Sequence, residues 1–124
     1  MDDIRLKTAQ YEFDGQIVEL VCNMNVLADV EEAFGSLGSA LERGHNVRTA
    51  LTCLAAMLNE WEDVHGRPKR HTVDSVGRKV PPWKIHDLID VVMPLVQAAL
   101  SREDGPAAEP AEGAPSPEAG EKNA

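Results

Sequence analysis

A chain of 124 residues with a formal net charge of −9 is sized for one domain with a modest core, small enough that a partner or self-association bears on its stability. We therefore expect a homo-oligomer or a complex. The excess of carboxylates argues against sequence-independent nucleic-acid binding, which needs clustered Lys and Arg to displace counterions from phosphates, and favours basic partners. No apolar run approaches membrane-spanning length, and the start does not resemble a signal peptide, since Asp2 and Asp3 precede only a short mixed run. A cytosolic, soluble protein with no membrane or nucleic-acid partner is the expectation.

Met1 to Asp3 are expected to fray, and a first strand is expected from Ile4 or Arg5 to Phe13. Asp14-Gly15 then suits a type I′ hairpin turn, because both central positions need positive φ. The run that follows, with Ile17, Val18, Leu20 and Val21, is rich in the β-branched side chains that fit a pleated surface. A helix is predicted next, capped by Asn25 and ended by Gly35, with Val26, Leu27, Val30, Ala33 and Phe34 on one face and Asp29, Glu31 and Glu32 on the other. A lone hairpin is marginal in water, so this helix is expected to cover it, and residues 11–35 read as the organising unit.

Residues 36–44 predict a short linker helix between glycines, after which Asn46 is the expected cap of the longest helical pattern. There Val47, Ala50, Leu51, Leu54, Ala55, Leu58 and Trp61 recur at three- and four-residue steps, with Cys53 and Met57 beside them. Arg48, Thr49, Asn59, Glu60 and Glu62 are expected to face away. Gly66 and Pro68 end the pattern. Thr72 caps one predicted turn with Val73 and Val76 inward; Pro81-Pro82 opens a final helix striped by Ile85, Leu88, Ile89, Val92, Leu95, Val96, Ala99 and Leu100. Pro94 lies inside that stripe and predicts a kink near residues 90–93 rather than two helices. Beyond Ser101 the composition is almost wholly Ala, Pro, Glu, Gly and Ser, which cannot bury a core.

The fold class is thus α+β and predominantly helical: an N-terminal β-hairpin packed against a small bundle of about three to four helices. Residues 1–101 form the domain, and 102–124 a disordered Ala/Pro/Glu-rich tail.

For chemistry, the residue types offer little. No nucleophile lies beside a base in a recognisable frame, Gly35, Gly38 and Gly44 follow a helix rather than the strand of a dinucleotide fingerprint, and Cys22 and Cys53 lack zinc-box spacing and read as buried free thiols. His65 and His71 flank a loop, without a carboxylate or thiol partner evident in the sequence. The basic run from Arg67 to His71 reads as a solvated connector. We therefore expect no enzyme, no cofactor and no metal. Trp61 and Trp83 lie on or near apolar stripes, where core is favoured over an interface anchor. Met57, Met93 and the alanine-rich flanks would suit a helix-binding groove or a self-assembly face. The candidate partner-binding residues, on the exposed side of the two long helices, are Leu54, Leu58, Trp61, Leu88 and Val92.

The succession Phe13-Asp14-Gly15, a strand, Asn25-x-Leu27-x-x-x-Glu31-Glu32-x-Phe34-Gly35, a linker helix, an Ala- and Leu-rich helix from Asn46 to Trp61 and the segment from Thr72 to Gly77 resembles the tail assembly chaperones of long-tailed bacteriophages, in the form found in gene-transfer-agent and prophage clusters. Pro81-Pro82 and Pro94 depart from that pattern. The resemblance implies a non-enzymatic helper that binds the tape measure protein, keeps it soluble and helps recruit tail tube subunits. It would act in the cytoplasm of the bacterial host and be absent from the mature virion. It also implies a longer form made by ribosomal frameshifting. Glu121-Lys122-Asn123 is encodable with the slippery heptamer A AAA AAC, or equally as an ordinary polar terminus. The alternative from a structural class is a tail tube or head–tail connector subunit that stays in the particle.

Overall fold

The computed structural model describes residues 6–101. The expected fraying of Met1 to Asp3 and the tail at 102–124 lie outside the described residues; the first strand, expected from Ile4 or Arg5, starts only at Thr8, with Leu6 and Lys7 outside it. Within them the order is β1 (Thr8–Phe13), β2 (Gln16–Val21), α1 (Met24–Phe34), α2 (Leu37–Glu42), α3 (Val47–Val64), α4 (Val73–Gly77), a 3₁₀ turn (Pro82–Lys84) and α5 (Ile85–Leu100). An N-terminal hairpin against a helical bundle is the architecture that the patterning predicts.

β1 and β2 pair antiparallel, with Tyr11 opposite Val18 and Phe13 opposite Gln16. Asp14 at φ 55° and Gly15 at φ 78° supply the two positive dihedrals of the turn. The two-residue period sends Ala9, Tyr11 and Phe13 inward with Val18 and Leu20, and leaves Ile17 at 59% exposure on the outer face.

α1 begins two residues before the expected cap site would allow. Asn23, not Asn25, is the N-cap: its Oδ1 accepts the Val26 amide at 3.1 Å, while its Nδ2 donates to Glu60 Oε2 at 2.8 Å. Asn25 lies inside the first turn, its Nδ2 3.4 Å from Glu60 Oε1. Gly35 ends the helix at φ 84° as expected. Ser36 caps α2, and Thr72 caps α4 through a reciprocal box with Ser75. Asn46 stands at the N-cap of α3 but its side chain makes no capping bond. α5 runs as one helix through Pro94, preceded by a 3₁₀ turn that takes in Pro82 and Trp83.

The hub is α3 rather than the hairpin and α1. α3 packs against β2, α1, α4 and α5, while α5 covers β1 and the main neighbours of α1 are α3 and α2. The expectation that α1 is the principal cover of the hairpin is corrected: α3 and α5 do that work. A helix packed on so many sides has little solvated face. Hence Thr49, Glu60 and Glu62, expected to face away, are buried, and Asn59 is half-buried. Met57 and Met93, expected to suit a binding face, are in the core. The reverse error occurs where elements end. Val47, in the first turn of α3, is 54% exposed and Trp83, on the turn before α5, is 80% exposed, so Trp83 is not core. Ala33 is exposed as well.

Leu54, fully buried in the middle of α3, sets the test of this packing. Leu54→Ala should lower the stability of the chain by about 3 kcal/mol in urea denaturation, against a change within about 0.5 kcal/mol for Ile17→Ala on the outer face of the hairpin.

Candidate functional site

Four of the five expected partner-binding residues are unavailable to a partner. Leu54, Leu58, Leu88 and Val92 are at 1% exposure or less, because their stripes face each other and the hairpin across the core. This corrects their assignment to an exposed surface. Trp61 alone is part-exposed, and it is covered from within the chain: the Arg67 guanidinium lies 4.6 Å from its ring centroid and the His65 ring 4.8 Å from it.

At the C-terminal end of α3 the structure brings together groups that residue spacing does not pair. Glu62, with a side chain 1% exposed, receives Arg67 Nε at 2.6 Å, Arg70 Nη2 at 3.0 Å and His71 Nε2 at 2.8 Å. The basic run is therefore a clamp on a buried carboxylate rather than a solvated connector, and His71 does have a carboxylate partner. Gly66 at φ 75° turns the chain back, so that the Arg67 amide reaches the Glu62 carbonyl at 2.8 Å. Asn59 fixes the far side of the same loop: its Nδ2 donates to the His71 carbonyl at 2.9 Å, and its Oδ1 accepts the His71 amide at 2.8 Å. The His71 ring then meets Phe13 of β1 edge to face, 5.7 Å between centroids at 82°. One loop thus ties α3, the hairpin and the cap of α4. The hydrogen bond from Arg67, with His71 and the neighbouring guanidinium charges, holds the Glu62 carboxyl down at about 2, against an ordinary 4.5.

His65 and His71 are not brought into a common site. His65 Nδ1 lies 2.8 Å from the Trp61 carbonyl, while His71 is committed to Glu62. Among the described residues no group of three or more His, Cys, Asp or Glu is placed to hold a metal ion. Cys22 and Cys53 are free and buried, as their spacing predicts, and burial pushes their thiols up to about 11 and about 12. Reactive thiolate chemistry is disfavoured at both.

The surface feature next to this clamp is an open cleft of about 310 Å³ between α1 and α4, with α3 as its floor. Thr52, Ala55, Ala56 and Asn59 form that floor at three- and four-residue steps, a stripe of small side chains about 10 Å long by the helical rise. Asp29 and Glu32, one turn apart on α1, form one rim, and Thr72 and Val73 the other. His71, held by Asn59 and Glu62, lies at the end where the loop meets α3. Asp29 and Glu32 are exposed and, among the described residues, neither forms an ion pair; no Lys or Arg lines the cleft. These acids are exposed, as their place on a solvated face predicts, and the alanine-rich flanks suit a groove, but only the neighbouring helices make Ala55 and Ala56 a floor.

No protein-family model, curated protein or solved structure matches the chain. Its class rests on its own geometry: a hairpin-and-helix α+β domain carrying an acid-rimmed cleft. Among the described residues no helix is long and apolar enough to cross a membrane.

The clamp has a pH signature. Because the folded Glu62 carboxyl titrates below its unfolded value, its contribution to stability is full above pH ~4.5 and lost as pH falls toward about 2. Glu62→Gln should cost about 2 kcal/mol at pH 7, less than for a wholly buried ion pair because both guanidinium groups are half exposed and rehydrate. Urea titrations at pH 7 and pH 3 check this: the stability gap between wild type and the variant should narrow at the lower pH.

Proposed function

We propose that this chain is a non-enzymatic tail assembly chaperone. In the cytoplasm of a bacterial host it binds the tape measure protein of a phage or related particle, keeps that protein's helices soluble, helps recruit tail tube subunits and stays out of the mature virion. The observation that carries this reading is the cleft between α1 and α4. Its floor is one face of α3, made of small and largely buried side chains, and its rim carries two exposed carboxylates that form no ion pair among the described residues. An open, shallow cleft of this kind supports contact with a helix surface. The order of elements supports it too: the hairpin, the capped helix, the linker helix, the long Ala- and Leu-rich helix and the Thr72-capped turn follow one another as in the family the sequence resembles. A tail tube subunit, normally a β-rich sandwich, is less well suited to a chain whose described strands form a single two-stranded sheet.

Co-expression with the tape measure protein encoded beside this gene tests the proposal. The expected outcome is a tape measure protein that is soluble only when this chain is present and that co-purifies with it. A tape measure protein that stays insoluble, with this chain recovered instead in purified mature tails, would replace the chaperone by the structural-subunit alternative.

A further inference from the structure

Charge is unevenly placed on this acidic chain. Six of the nine Lys and Arg within residues 6–101 fall between Arg67 and Lys84, a stretch in which Asp74 is the one acid. The fold gathers them at one end of the domain. Lys79 reaches Asp14 in the hairpin turn at 2.9 Å, and its hydrogen bond and charge, with the charges of Arg70 and His71, hold the Asp14 carboxyl below its ordinary value, so the loop at 67–71 and the end of α4 meet at that turn. Lys84 stands at the head of α5, and burial followed by the Asp87 charge raises the Tyr11 phenol, which places the first turn of α5 by β1. Arg67 and Arg70 meet Glu62 through Nε and Nη2, and with side chains 45% and 60% exposed they keep further donors toward solvent. Lys69, Arg78 and Lys84 are exposed and form no ion pair among the described residues.

The opposite charge is tethered to the same chain. Residues 102–124 carry six acids against Arg102 and Lys122, and they leave the domain at the far end of α5. The way back along that 16-residue helix is about 24 Å. About seven extended residues at ~3.3 Å each cover it, so residues 102–108 suffice to bridge α5 and bring Glu109, Glu112, Glu118 and Glu121 within reach of the basic face. We propose that the segment from Glu109 to Glu121 lies across the basic face of its own chain, with its carboxylates against Lys69, Arg70, Arg78, Lys79 and Lys84. Pro110, Pro115 and Pro117 oppose a helix there, so the contact is an extended strip of charge rather than a packed element. Each exposed pair is weak by itself. The tether supplies the rest, since it holds the acids at an effective concentration on the order of 1 mM, and an acidic segment of another protein reaches this face only by displacing them. This contact is independent of the tape measure reading.

Paramagnetic relaxation in the full chain, with a nitroxide on Ser116→Cys, tests the contact. Cys22 and Cys53 are buried and their thiols are raised, so they stay unlabelled. The expected result is strong broadening of the amides of Lys69, Arg70, Arg78 and Lys79, while those of α2 keep their intensity. Glu109→Gln, Glu112→Gln, Glu118→Gln and Glu121→Gln made together should abolish the broadening. Lys69→Glu with Arg78→Glu should abolish it too, and this pair leaves every partner of Glu62 in place. Lys69→Arg with Arg78→Lys keeps the charge and should retain it. Broadening confined to the end of α5, spread evenly over the domain, or unchanged in the Gln variant would overturn the assignment. A spin-labelled chain mixed with an isotope-labelled chain that carries no nitroxide separates the occupants. Broadening at the basic face of the second chain marks the segment of another copy and overturns the contact within one chain; its absence there, with broadening in the singly labelled sample, supports it.

Discussion

The Glu62 carboxylate is the constraint on which the second half of the structure depends. It is buried at the last turn of α3, where an unpaired charge would be strongly unfavourable, and the residues that satisfy it all come from the segment that follows. Pairing with Arg67, Arg70 and His71 therefore folds that segment back over the helix instead of letting it run out into solvent. Asn59 completes the return with two hydrogen bonds to the His71 backbone. The next residue, Thr72, is the cap of α4. Charge burial, loop geometry and helix initiation are thus consecutive steps along a few residues, and their product is the position of α4 beside α3.

That position gives the cleft its second wall. The first wall, α1, is set independently by another buried carboxylate on α3: Glu60 receives the Asn23 amide that also caps α1. α3 accordingly carries two buried acids near its C-terminal end, one bonded to the cap of α1 and the other to the loop that leads into α4, with the small side chains of Thr52, Ala55 and Ala56 in the turns before them. The hairpin is joined to the same frame through Phe13 against His71 and through Lys79, whose Nζ lies 2.9 Å from Asp14 Oδ2 in the hairpin turn. The latter pair is exposed on both sides and adds little to stability by itself.

Much of the fold was legible in the sequence because its local signals are chemically unambiguous. Asp14-Gly15 tolerates positive φ at both positions, Gly35 accepts the left-handed end of a helix, and the Thr72 hydroxyl accepts a free backbone N–H at the start of one. The functional surface was not legible, for a physical reason. An apolar stripe at helical spacing reports that a face is buried, not what buries it, so Leu54, Leu58, Leu88 and Val92 read equally as core or interface until the neighbouring helices are placed. Charged residues were misread in the opposite direction. Glu60 and Glu62 sit off the apolar stripe, yet both are buried because α3 is surrounded. The cap at Asn23, where Asn25 was expected, likewise involves a group far along the chain, since Asn23 serves α1 and Glu60 together. Trp83 is exposed because the chain is still in a 3₁₀ turn there and has not joined the face of α5.

The measurement that tests the dependence on Glu62 most directly is amide hydrogen exchange, resolved by residue, in the wild-type chain and in Glu62→Ala. Exchange reports local opening separately from global unfolding. If the carboxylate positions the loop and α4, the variant should lose protection at His71 and through residues 73–77, while β1, β2 and α1 keep theirs. Unchanged protection at His71 and α4 in a folded Glu62→Ala chain would contradict the account, and would mean that packing on α3 places that wall without the clamp.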